Sequence, residues 1–208
     1  MTLPSPPDGY DTAHLVAAGR SGCFIGFGFD RDRDHIPRFI VQLHYLEDAE
    51  GLTWDRIARM DHNETAALGH DVYREGLHVD VFTRSGSAVH LALSHPPLPA
   101  NRGRVIRGCL DYFRREGDFF VDVYEERRHP GDPPRWSDGG ETSPTLITQQ
   151  PVVSSMSREA PAAEEVLTLE EANQLLAEAT DTAPEEIARG VEIDPPEEAE
   201  VVGYDGDE

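Results

Sequence analysis

Lysine is absent from the entire chain: all 18 fixed side-chain cations are Arg, set against 40 Asp and Glu. The resulting formal charge of −22 excludes a general attraction of the whole molecule to nucleic acid or to an anionic membrane surface, and leaves only a local cluster of Arg able to provide one. Cysteine is nearly absent too. Cys23 and Cys109 have no Cys-x-x-Cys spacing, which excludes a disulfide framework or a thiolate metal cluster and predicts two free thiols acting as small hydrophobes. No run reaches the roughly 18 apolar residues that a membrane-spanning helix requires. The first 22 residues place Pro4, Pro6, Pro7 and Asp8 where a secretory signal needs basic and apolar residues. The expected location is the cytoplasm, away from any membrane.

The charge is unevenly spread. Up to residue 130 there are 20 acidic residues against 15 Arg, net −5, and beyond it 20 against 3, net −17. All nine His, both Cys and every Phe also fall before residue 130, so the side chains that build cores and sites are concentrated there. The second part lacks the apolar surface needed to offset the entropy of ordering. An acidic, lysine-free chain of this kind resembles proteins of salt-accumulating archaea, where the Debye length falls to about 3 Å in molar salt and self-repulsion is screened. A GC-rich genome combined with one acidic tail gives the same counts.

Residues 22–29 and 38–46 read as strands, the second with Phe39, Val41, Leu43 and Tyr45 alternating against Ile40, Gln42 and His44. Residues 53–61 return antiparallel after a polar turn at 47–52, with Tyr45 near Trp54 and Val41 near Ala58. That register turns Gln42, His44, Asp55, Arg59 and Asp61 to the opposite face. Strands at 77–84 and 88–94 follow, and a three-residue loop at 85–87 pairs Val81 with Leu91 while setting His78, Asp80 and His90 on one face. Val105, Ile106, Cys109, Leu110 and Phe113 have helical spacing over 101–116. Residues 119–126 read as a last strand.

The predicted fold is therefore α+β: a small antiparallel sheet of four to six strands packed on one main helix. Residues 1–21 form a flexible N-terminus, 22–128 the domain and 129–165 a disordered linker rich in Pro, Gly, Ser and Thr. A short helical hairpin is expected over 166–192, starting at a Thr168/Glu171 capping box. An acidic tail occupies 193–208. No internal repeat is present.

The densest polar group lies between residues 59 and 81. It contains Asp61-His62, His70-Asp71 and His78-x-Asp80, with Arg59 and Arg74 alongside. A neutral imidazole is a metal ligand or general base near pH 7, and a neighbouring carboxylate fixes its tautomer and raises its basicity. Two residues apart on a strand, His78 and Asp80 face the same way. The same pattern also arises from a sheet that simply turns polar residues to solvent. No ligand spacing here is diagnostic, so the sequence assigns no metal and no cofactor. Asp30-Arg-Asp32-Arg-Asp34 begins like a calcium loop but has His35 and Val41 where Gly and Glu are needed. Gly26-Phe-Gly28 lacks the third Gly and the helix of a dinucleotide site, and there is no Gly-x-Ser-x-Gly elbow.

The layout of strand hairpin, Arg-x-Asp-His, Gly-His-Asp and a short strand after Gly resembles a family of small prokaryotic domains of unknown function related to the TumE-like toxins of toxin–antitoxin pairs. The residues carrying it are Arg59, Asp61, His62, Gly69, His70, Asp71, Gly76, His78 and Asp80, within residues 22–116. The long acidic tail departs from that layout. The resemblance implies action on RNA and an antitoxin-like protein partner. On that reading one His accepts the 2′-hydroxyl proton, a second protonates the leaving oxygen and Arg59 stabilises the phosphorane, His70 and His78 being the candidates. Arg104, Arg107 and Arg114 on the predicted helix would grip phosphates, or else pair with the abundant acids on a solvated face. Two functions thus compete. One is a noncatalytic module that binds a protein through the sheet face or the hairpin, which the sequence slightly favours. The other is a toxin-like nuclease using Arg59, Asp61, His62, His70, Asp71, His78 and Asp80.

Overall fold

The computed structural model describes residues 3–48, 53–66, 69–137 and 166–188. The strands are β1 (Thr12–Ala17), β2 (Cys23–Asp32), β3 (His35–Asp48), β4 (Thr53–Asn63), β5 (His78–Phe82), β6 (Ala88–Ala92) and β7 (Val166–Leu167), and the helices α1 (Val72–Glu75), α2 (Arg102–Tyr124), α3 (Leu169–Ala179) and α4 (Pro184–Ala188). The seven strands make one sheet in the order β6-β5-β4-β3-β2-β1-β7. All neighbours are antiparallel except β1 and β7. The α+β class is as expected, with one strand more than the six allowed. No helix of the described residues is long and apolar enough to cross a membrane.

Period-two alternation sorts the strand residues onto two faces. Ile25, Phe27 and Phe29 of β2 and Phe39, Val41 and Leu43 of β3 are buried against Val105, Ile106, Cys109, Leu110 and Phe113 of α2. Each such side chain contributes about 1.5–3 kcal/mol on leaving water. Cys23 and Cys109 are free and buried in this cluster. Asn101 caps α2 by accepting from the Arg104 N–H at 3.2 Å.

Three readings of the sequence require correction. Residues 119–124, expected as strand, continue α2, because Phe120, Val121 and Tyr124 extend the stripe begun by Cys109, Leu110 and Phe113; alternation and helical periodicity overlap in so short a run. Residues 12–17, expected in a flexible N-terminus, form β1 and bury Leu15 and Val16. Residues 129–137, the start of the expected linker, carry Trp136, fully buried against Gly108 of α2. A Cβ on Gly108 would stand 2.4 Å from the Trp136 ring, so this close approach depends on glycine.

The capping box of Thr168 and Glu171 starts α3 as read. α3 and α4 lie on α2, where Arg107 donates to Asn173 Oδ1 at 2.8 Å, Asn101 donates to Thr182 Oγ1 at 2.8 Å, and Ala172, Leu176 and Ile187 join the core. Two short helices need such docking to persist. The remaining expected turn residues 49–52, linker residues 138–165, hairpin residues 189–192 and the tail at 193–208 lie outside the described residues.

The expected register is two residues out at Val41 and at Val81, and one residue out at Tyr45, which faces Asp55 rather than Trp54. Val41 faces Met60 rather than Ala58, and Val81 faces Val89 rather than Leu91. A slip of two preserves faces, so Arg59, Asp61, His78, Asp80 and His90 share the outer face as anticipated. A bulge at Ile57, between the Leu43–Ala58 and His44–Arg56 pairs, breaks the pattern. It buries both Ile57 and Ala58, turns Arg56 outward, and brings Asp55 inward to accept from the Tyr124 hydroxyl at 2.7 Å.

Candidate functional site

Gln42, Arg59, Asp80 and His90 stand directly opposite one another on β3, β4, β5 and β6, so one row of outer-face side chains crosses four strands. Such neighbours have Cβ atoms about 5 Å apart, close enough for polar side chains to meet. Arg59 Nε donates to Asp80 Oδ2 at 3.1 Å and approaches Asp61 Oδ1 at 3.2 Å. The other Asp80 oxygen lies 2.9 Å from His90 Nδ1. Burial alone would raise the Asp80 carboxyl, yet its bonds to His90 and Arg59 hold it below the usual carboxylate range.

His78, one turn of the pleat away on the same face, completes the group. Its ring centroid is 3.5 Å from that of His70 and 3.9 Å from that of His90. Its ring nitrogens have no hydrogen-bond partner among the described residues. Burial, assisted by the repulsion that protonated His70 and His90 would exert, pushes its pKa down to about 4, so the imidazole is neutral near pH 7. Ligand atoms of His78, Asp80 and His90 all lie within 4.8 Å of one another.

His70 belongs to the same cluster in a different role. The chain before β5 turns through α1, and this sets His70 Nδ1 2.9 Å from Glu75 and Nε2 3.1 Å from the Gly76 carbonyl. With both nitrogens held and its side chain 12% exposed, His70 is a wall for His78 rather than a free acid or base.

The other residues of the expected group are placed elsewhere. His62 follows Asp61 on β4 and so points inward, where it is fully buried against Phe39 and accepts from the Val72 N–H at 3.3 Å. Burial, reinforced by Arg102, lowers its pKa. Asp71 caps α1 by accepting from the Tyr73 N–H at 3.0 Å. These two are positioned as structural groups. Arg104, Arg107 and Arg114 lie on α2, behind the opposite face of the sheet. The side chain of Arg107 is 12% exposed and engaged by Asp111 and Asn173; Arg114 is exposed, near Gly19. The three do not meet the His cluster.

Glu75 and His90 lie outside the candidate residues that the sequence suggests. For His90 the signal existed, since hairpin pairing put it on the face of His78 and Asp80; for Glu75, five residues from its partner, there was none. Residues 16–130 match the model described as Domain of unknown function (DUF7718), more than half of the chain, and the chain belongs to that family. No curated protein and no solved structure matches it.

Proposed function

We propose that this member of the DUF7718 family cleaves phosphodiester bonds, with RNA as the substrate class, at the outer face of β4 to β6. The observation that carries the reading is the meeting of His78, Asp80 and His90 around one point, on a face that the core does not use. An attacking oxygen there would find two imidazoles and a carboxylate converging on one point, a set able either to take up its proton directly or to hold an ion that lowers its pKa. The resemblance to TumE-like toxins supports RNA over other phosphodiesters, and with it a neutralising protein partner.

The competing reading, a noncatalytic docking module, has less support. The apolar residues that the 166–188 segment would offer a partner, Ala172, Leu176 and Ile187, are taken up by α2 of the same chain. Among the described residues the one exposed large hydrophobic side chain is Tyr73.

The test is incubation of full-length protein with end-labelled RNA in molar KCl, with and without added divalent metals. Cleavage is expected, and is expected to disappear in His78→Ala while the melting curve is retained. Intact RNA under every metal condition would end the nuclease reading.

A further inference from the structure

Arg59, the cation nearest the cluster, is already engaged by Asp61 and Asp80, and Glu75 adds a further carboxylate at His70. A phosphodiester approaching this point would meet these carboxylates with Arg59 already committed to them, while Arg56, the next outward arginine of β4, lies over the Phe82 ring outside the row. A bound cation would reverse that balance, because its own charge becomes the largest in the site.

We propose that His78, Asp80 and His90 bind a divalent first-row transition-metal ion. This rests on the outer face being the reactive site and names its cofactor. Two imidazoles and one carboxylate suit zinc, manganese, iron or cobalt in the divalent state and leave coordination positions open, as reactive rather than structural sites do. The three ligand atoms, within 4.8 Å of one another, reach bonds of about 2.0–2.2 Å after side-chain movements on the order of an ångström. Their backbone positions are fixed by a β-hairpin in which Asp80 and His90 are direct partners. The open side is toward His90, whose side chain is 63% exposed, whereas Asp80 is 16% exposed.

Supporting contacts are present around the three. Arg59 holds Asp80 Oδ2, leaving Oδ1 to face His90 and the metal. Asp61 in turn holds Arg59 at 3.2 Å. His70, anchored at both nitrogens, packs on the His78 ring. Partners of this kind orient ligands, and their loss typically costs metal affinity about 10- to 100-fold.

The experiment uses untagged full-length protein, stripped with a chelator and titrated by calorimetry with Zn(II) and Mn(II), with Co(II) absorption reporting the coordination sphere. One ion per chain is expected. His78→Ala and His90→Ala are each expected to weaken binding beyond the roughly 100-fold upper cost of a lost supporting partner, and Asp61→Asn by about 10- to 100-fold. His129→Ala, at an exposed residue outside the cluster, should bind as the parent does. Absence of stoichiometric binding, or binding unchanged in the His78→Ala/His90→Ala double variant, would overturn the assignment. Metal bound without RNA cleavage would sink the nuclease reading alone, while cleavage that survives stripping would sink the ion's role as the cofactor of that reaction.

Discussion

The two faces of the sheet use His in opposite ways. On the inner face His62 sits against Phe39 with no exposed surface and bonds one backbone N–H; it fills space. On the outer face the treatment is divided. Over β2 and β3, residues 5–10 cross the sheet, with Pro7 and Tyr10 lying where Cβ atoms of Gly26 and Gly28 would be, at 3.1 and 3.0 Å. This covers His44, which is 9% exposed. Over β4 to β6 the cluster of Arg59, His78, Asp80 and His90 reaches the surface, with His90 well exposed. His44 and His78 both have pKa values pushed down to about 4, but burial with Arg56 beside it acts on His44, whereas burial with two further imidazoles acts on His78. A depressed imidazole pKa therefore marks a site only where several polar groups also converge.

The sharpest way to separate the sealed face from the bare one is Trp136→Ala. Its indole is fully buried over Gly108, and its N–H backbone donates to Ser94 O at 3.0 Å. Loss of about 3–5 kcal/mol of unfolding free energy is expected, the usual range for emptying a buried aromatic site. Urea denaturation checks it. A loss below about 1 kcal/mol, the scale of an average substitution, would mean that the inner core ends with α2 and that residues 129–137 are linker after all.

The covered half of the outer face should show a pH-dependent stability. His44 has a folded pKa of about 4 against an ordinary value of 6.5, so between those values the unfolded chain binds the extra proton. Stability is then complete above about pH 6.5 and is lost as pH falls toward 4, by up to about 3 kcal/mol. Urea midpoints measured across this window should flatten in His44→Phe relative to the parent. An unchanged slope would show that residues 5–10 do not seal this half.

Much of this division was present in the sequence and some was not. Strand alternation in residues 38–46 assigned faces correctly even with the register two residues out at Val41, because a slip of two returns every side chain to its side. The same alternation should have parted His62 from Asp61; their adjacency in an Asp-His pair suggested a shared role that the pleat forbids. The bulge at Ile57 could not be read, since an extra residue in one strand depends on how its partner packs, and Asp55 was consequently turned to the wrong face. Thr12–Ala17 is a short run between Pro-rich and Gly-rich stretches, and Trp136 a single aromatic among Pro, Asp and Arg. Neither has a periodicity of its own, and each is ordered by surfaces contributed from elsewhere in the chain, β2 for the first and α2 for the second.

The smallest expected effect is the most informative about the bare half. His78 reaches no hydrogen-bond partner among the described residues and contacts two other imidazoles, so its truncation removes ring contacts without leaving a buried donor or acceptor among them unmatched, the event that makes polar substitutions costly. His78→Ala should therefore change the unfolding free energy at pH 7, measured on metal-stripped protein, by no more than about 1 kcal/mol, the scale of an average substitution. A loss comparable to that of a core residue would make His78 a packing group like His62 and remove the reason to look for chemistry on this face. A neutral result, together with loss of metal and of RNA cleavage, would show that the arrangement of His78, Asp80 and His90 is maintained by something other than the stability of the fold.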